Sequence, residues 1–254
     1  MNLDDLVIEV TRRCNMKCDH CLRGEPQNKT MKEEHLRNLL RQVSYISNVT
    51  FTGGEPTLPS GLKMINRFID LCHNYEVEVG NWYIVTNGLK WRKDLPRTIW
   101  RLHNLCSDNE ISAIEVSGDR YHWTNAIERE DFIYQLEESL YEEGLLPNED
   151  IQIGQRGEIP SVIREGRGDI NQIGDRDNIG ESLIFHYYNH ELTITEGTFY
   201  LNCNGNIILG CDWSYESQEI QTDHFLCKVE DSIEEAIKEK GEDETEEEEQ
   251  CQAA

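Results

Sequence analysis

Three cysteines crowd into Cys14-Asn15-Met16-Lys17-Cys18-Asp19-His20-Cys21, a C-x3-C-x2-C run that follows a short apolar stretch at residues 6–10. A disulfide would leave one thiol over, whereas three thiolates on one loop can hold three corners of a cubane iron–sulfur cluster and leave one iron open. An open iron can bind a substrate. A structural zinc site using Cys14, Cys18, Cys21 and His20 is the competing reading of the same residues. Further along, Gly53-Gly54-Glu55-Pro56 joins two residues that expose bare backbone to one that offers a charged acceptor for an ammonium group. Thr86-Asn87-Gly88 and Ser117-Gly118-Asp119 repeat the combination of glycine with polar side chains.

The elements that carry these residues alternate. Residues 6–10 read as a strand, 31–46 as a helix capped by Thr30, and 48–52 as a buried strand running into the paired glycines. Helices follow at 62–75, 94–105 and 125–141, and strands at 82–86, 111–117 and 151–153. Pro96 falls in the first turn of its helix, where proline is tolerated. Such βαβα alternation predicts a parallel sheet with outer helices, an open or partial barrel, with its chemistry at the C-terminal ends of the strands. Each polar motif falls at such an end. Residues 154–180 read as irregular and as lining or covering the site. Residues 192–195, 198–201 and 207–209 read as strands, the last two joined by a tight hairpin at Asn204-Gly205, and 232–240 as a closing helix. The acidic stretch 241–254 has no apolar period and reads as disordered.

Composition excludes several classes. The chain has 254 residues, ample for one sizeable core, and a formal charge of −25, with 49 acids against 24 bases. That balance disfavours a polynucleotide, since lysine and arginine must replace condensed counterions, but leaves a free nucleotide open. Seven of the acids lie in 241–254, so the acidity is general. Arg12, Arg13, Lys17 and Arg23 surround the cysteine loop and could form a small positive face for an acidic electron donor such as a flavodoxin, or else be solvated loop charges. Nine cysteines, no basic segment before an apolar one at the N-terminus, and no apolar run of membrane-spanning length lead us to expect a soluble cytoplasmic protein with reduced thiols and no membrane contact.

With the motifs in place, the chain resembles the radical S-adenosylmethionine (SAM) superfamily over roughly residues 5–170, through the C-x3-C-x2-C loop and GGEP at the next strand end. The resemblance implies an α/β fold, a partial (β/α)6 TIM-like barrel, with a [4Fe–4S] cluster on Cys14, Cys18 and Cys21 and SAM chelating the fourth iron. It implies that Gly53, Gly54 and Glu55 hold the SAM amino group, that Thr86 and Asn87 lie near its ribose, and Ser117 or Asp119 near its ribose or carboxylate. Arg167, in Arg164-Glu165-Gly166-Arg167-Gly168, resembles a glycine–arginine stretch found near SAM, where its fork suits a carboxylate. The implied chemistry is cleavage of SAM to a 5′-deoxyadenosyl radical that abstracts hydrogen from a peptide, nucleotide or other small molecule, with a flavodoxin- or ferredoxin-like electron donor. A glycyl-radical-enzyme activase and a non-catalytic iron–sulfur sensor or scaffold are the alternatives.

The expected organisation is a core barrel at 1–180, a C-terminal hairpin and helix at 181–240 and the acidic tail at 241–254. The hairpin, with Cys203, Cys211 and Cys227, resembles a truncated SPASM or twitch extension. These extensions carry auxiliary iron–sulfur clusters, but the close C-x2-C pairs they need are missing, so buried or free thiols are the preferred reading. Cys72 and Cys106 read as core thiols, and Cys251 as an exposed bystander. His122 is a candidate proton donor or a structural histidine, and Tyr121 and Trp123 either wall a substrate pocket or pack the core.

Overall fold

A computed structural model describes residues 1–119, 121–122, 126–156, 162–175, 181–188, 191–220 and 223–243. Parallel strands alternate with helices through the first half of the chain: β1 (Asn2–Thr11), α1 (Glu33–Leu40), β2 (Tyr45–Gly53), α2 (Pro59–Tyr75), β3 (Glu78–Thr86), α3 (Leu95–Leu105), β4 (Ala113–Ser117), α4 (Ala126–Glu142) and β5 (Gln152–Arg156). After the short α5 (Gly166–Ile170) come β6 (Ile184–Tyr188), β7 (Glu191–Glu196), β8 (Thr198–Leu201), β9 (Asn206–Leu209), β10 (Phe225–Lys228), α6 (Ile233–Lys240) and β11 (Glu242–Asp243).

The sheet runs β10-β9-β8-β1-β2-β3-β4-β5. From β8 to β5 every neighbouring pair is parallel, while β8, β9 and β10 pair antiparallel. The result is an open, partial barrel, as expected. β1 sits at its centre. Leu6, Ile8 and Val10 enter the main core with Phe51, Phe68, Trp82 and Ile84, whereas Val7, on the opposite face, joins Tyr200 and Ile208 in a second cluster. Alternation along β1 thus buries both faces, and the second face also carries the fully buried Glu9 and Thr11.

Several boundaries differ from expectation. The helix read over 31–46 ends at Leu40, because Tyr45 and Ile46 pair with both β1 and β3. Thr30 does not cap it: the cap position is Lys32, and Thr30 bridges to Thr11. Within 154–180, read as irregular, β5 extends to Arg156 and α5 forms. β6 and β10 escaped the sequence reading, since each is short and mixes polar with apolar residues. In the stretch read as disordered, Glu242 and Asp243 pair with β6; residues 244–254 lie outside those described. The hairpin at Asn204-Gly205 forms as expected, with Gly205 at φ 78°.

Candidate active site

The cysteine loop leaves the end of β1 and is anchored on the Gly-Gly-Glu segment at the end of β2. Gly54 N donates to Thr11 O at 2.7 Å and Glu55 N to Arg13 O at 2.9 Å. A Cβ on Gly53 would lie 1.9 Å from Thr11 O, and one on Gly54 2.3 Å from Arg13 O. The bare backbone therefore packs on the root of the loop. Gly53 also has φ 136°, which side-chain-bearing residues rarely adopt.

Glu55 is buried, and its carboxylate accepts four hydrogen bonds. Oε1 accepts from Thr57 N at 3.0 Å, Thr57 Oγ1 at 2.6 Å and Thr86 Oγ1 at 2.7 Å, and Oε2 from Asn87 N at 2.8 Å. Oε1 thus gathers three donors and Oε2 one. Glu55 thus fastens β2 to β3, and the Thr86 hydroxyl, which also accepts from Gly88 N at 3.1 Å, belongs to the same joint. Asn87 extends the joint to the cysteine loop. Its Nδ2 donates to Asn15 Oδ1 at 2.9 Å and lies 3.9 Å from Cys14 Sγ, which Met16 N approaches at 3.4 Å.

Cys14, Cys18 and Cys21 are free thiols of intermediate exposure. Burial pushes the Cys14 thiol up to about 11, with the charges of Glu55 and Cys21 adding to it. Burial followed by Cys21, Cys14 and Asp119 pushes Cys18 up to about 12. Three unpaired sulfurs on one loop fit an iron–sulfur cluster. The zinc alternative needs His20 to join the sulfurs. His20 instead stacks on Tyr121 at 4.3 Å and meets His122 edge-on at 5.1 Å.

Arg167 is committed elsewhere than the resemblance implied. Its Nε donates to Cys18 O at 3.0 Å, and its other nitrogens pair with Asp19 and Glu25. Its backbone N donates to Cys21 O at 2.9 Å. α5 is thus a strap across the cysteine loop. Gly166, at φ 56°, permits the approach, since a Cβ there would lie 2.3 Å from Leu22 O.

Of the four cations around the loop, Arg12 and Arg23 are buried, and Arg13 and Lys17 are exposed. Arg12 is buried, bonded to Glu9 at 2.6 Å, Glu219 at 2.6 Å and Gln218 at 2.9 Å. Arg23 is buried against the Tyr200 ring and donates to Trp213 O at 2.6 Å. Lys17 pairs with Glu25 at 3.5 Å, and Arg13 lines a cavity of about 610 Å³ between the loop and α1–α2 with Lys63 and Arg67. The Glu9–Arg12 pair was absent from the sequence reading of the site; the signal was an acid inside an otherwise apolar strand.

At the end of β4, Ser117 and Asp119 are buried. Asp119 Oδ1 accepts from Tyr121 N at 2.9 Å, and Oδ2 lies 2.7 Å from His122 Nδ1. Burial works to raise the Asp119 carboxyl, and the hydrogen bond and charge of His122, with the Tyr121 N–H and His20, together outweigh it, so the group sits below its ordinary value. Burial, then the charge of His122, lowers His20. Trp123 lies outside the described residues. The C-terminal thiols are not gathered: Cys203 donates to Glu9 O at 3.1 Å and packs with Cys227 in the main core, while Cys211 lies beside the second cluster across the sheet. Cys72 and Cys106 are core thiols.

Residues 8–107 match the family described as the Radical SAM superfamily. YydG of Bacillus subtilis (strain 168), which its name assigns to peptide biosynthesis, is 30% identical over 120 residues, 45% of this chain and 35% of its own length. The GTP 3′,8-cyclase of Helicobacter pylori (strain HPAG1) is 33% identical over 105 residues, 37% of this chain and 32% of that protein. The matched stretches span about a third of these curated relatives. Among solved structures, native anSMEcpe with bound AdoMet superposes with a TM-score of 0.57 at 12% identity, covering 92% of this chain and 80% of that one. Native anSMEcpe with AdoMet and the Cp18Cys peptide gives 0.57 at 11% identity, covering 93% and 80%. At such identity the likeness is one of fold. Among the described residues no helix is long and apolar enough to cross a membrane.

Proposed function

Proceeding from a chain that belongs to the radical SAM superfamily, we propose that it is an enzyme that abstracts a hydrogen atom from a peptide substrate. Cys14, Cys18 and Cys21 would hold the [4Fe–4S] cluster. When bound, the cluster and SAM supply a 5′-deoxyadenosyl radical by one-electron cleavage of SAM. The observation that carries the reading is the set of three free cysteines on one loop, rooted by the Gly-Gly-Glu segment at the C-terminal edge of a parallel sheet.

The chain's own residues position and enclose. The backbone of Gly53, Gly54 and Glu55 fixes where the loop starts, and the Glu55 carboxylate holds Thr86 and Asn87 against it. Asn87 and Met16 supply N–H groups toward Cys14 Sγ, the kind of contact that tunes a cluster's potential. Backbone groups at the end of β2 and the Ser117 side chain at the end of β4 are the contacts we assign to SAM. The Asp119 oxygens are already engaged by Tyr121 and His122. α5 and the segment at residues 211–219 close over the loop, where Tyr215 N donates to Arg23 O at 2.9 Å, and so help exclude water.

A peptide substrate is supported by the likeness to YydG, which covers more of this chain than the likeness to the GTP 3′,8-cyclase. A nucleotide remains the second reading, favoured by that cyclase. The ligand assignment is tested by Cys14→Ala, which is expected to abolish the brown chromophore after anaerobic reconstitution; a variant with full iron and sulfide content would overturn it.

A further inference from the structure

We propose that Arg23 is a specificity-determining residue whose guanidinium takes a carboxylate of the substrate, beneath the cysteine loop on the face of the sheet that the helices leave free. The inference rests on the peptide-modifying reading above and names the group that the peptide must carry. Arg23 follows Cys21 by two residues, so the loop that presents the cysteines also fixes this side chain. Tyr215 N holds its carbonyl at 2.9 Å.

The side chain is a buried cation without a counter-ion. Arg23 is 9% exposed, and Nη1 to Trp213 O at 2.6 Å is the one hydrogen bond its guanidinium makes among the described residues. The neighbouring Arg12 takes Glu9 and Glu219 at 2.6 Å each. Tyr200 offers Arg23 only its ring, whose centre lies 4.7 Å from the guanidinium carbon, because its hydroxyl is committed to Glu9. A buried guanidinium with most of its donors unused bears a desolvation cost that an anion offsets, and its planar fork fits the two oxygens of a carboxylate.

A substrate can reach this place. α1, α2 and α3 pack on the face of the sheet that holds Phe51, Trp82 and Ile84. Tyr200 lies on the other face, and the register carries that face from Val7 through Thr50 and Tyr83 to Ala113. Thr50, Thr52, Tyr83 and Glu115, which share it by strand alternation, are half-buried, whereas Val49, Phe51, Trp82 and Ile114 on the helix side are buried. The free face is therefore polar and partly open, the inner side of a partial barrel, and Arg23 stands where it runs under the cysteine loop.

The test measures binding of capped amino acids to the cluster-loaded protein, with no SAM or reductant added. N-acetylglutamate amide carries its carboxylate on the side chain, N-acetylalanine carries one at the chain end, and N-acetylglutamine amide has none. One of the two carboxylates is expected to bind roughly tenfold or more tightly than the glutamine probe, and the one that does identifies the source. Arg23→Gln should abolish the difference, and Arg23→Lys, which keeps the charge without the fork, should restore part of it. Equal binding of all the probes, or a preference that survives in Arg23→Gln, would overturn the proposal. So would GTP that binds more tightly than both carboxylates and loses this in Arg23→Gln, because the guanidinium would then serve a phosphate. Where Arg23→Gln does not fold, phenylglyoxal labelling of the wild type, mapped by mass spectrometry, replaces it. The preferred carboxylate is expected to slow labelling of Arg23 several-fold and to leave the exposed Arg41 unchanged; an unprotected Arg23 refutes the assignment. Neither readout needs SAM cleavage, so failure here is distinct from failure of the cluster assignment, which 5′-deoxyadenosine reports.

Discussion

Glu55 ties together the strands beneath the cysteine loop. Its carboxylate accepts four hydrogen bonds that join Thr57, Thr86 and Asn87 beneath the cysteine loop. Removing the carboxylate strands buried donors at about 1–3 kcal/mol each, so Glu55→Ala should cost on the order of 3 kcal/mol or more. Urea unfolding measures it, and a variant as stable as the wild type would refute the joint. The cysteines and the Gly-Gly-Glu segment were legible in the sequence because their chemistry is local, fixed by spacing over a few residues. Arg12 and Arg23 were not. Glu9, three residues before Arg12, was the one local sign; the partners Glu219 and Trp213 lie 207 and 190 residues away. Arg167 was found, but its bonds to a backbone carbonyl and two acids were not, because an arginine fork suits these as well as it suits a cofactor carboxylate.

At the scale of elements, α5 is five residues long and would not persist alone, and its geometry comes from the loop it crosses. Arg167→Ala removes the Nε bond to Cys18 O and both acid pairs while leaving the three cysteines untouched. We expect the variant to assemble its cluster and lose iron to a chelator several-fold faster, followed by the fading of visible absorbance. An unchanged rate would mean that α5 does not brace the loop. The long helices and the strands of the barrel were readable from their apolar period, but their ends were not. Tyr45 and Ile46 continue the apolar pattern of α1, and only pairing with β1 and β3 assigns them to a strand. β6 and β10 lack a period long enough to read, and pairing with β7 and β9 defines them.

At the scale of the molecule, the C-terminal hairpin is part of the sheet that carries the site. β8 pairs with β1 from Asp5 to Ile8, and Glu9 accepts from Tyr200 Oη at 2.8 Å and Cys203 N at 3.0 Å. Arg12, two residues before Cys14, takes Gln218 and Glu219 from the same region. A chain ending at residue 180 should therefore expose one edge of β1, leave Glu9 and Arg12 without these partners, and fail to fold. A soluble, cooperatively unfolding fragment in circular dichroism would show instead that residues 1–180 are an independent domain. Order along the chain could suggest hairpin and barrel but not that β8 lies next to β1, a contact between residues almost two hundred positions apart. The central claim, that this sheet presents three cysteines for a cluster that cleaves SAM, is tested most directly by reconstituting the protein anaerobically, adding SAM and dithionite, and measuring 5′-deoxyadenosine against iron per chain. About four irons with 5′-deoxyadenosine formed, both lost in Cys14→Ala, is the predicted result; a full complement of iron with no 5′-deoxyadenosine in the presence of peptide or nucleotide substrates would contradict it.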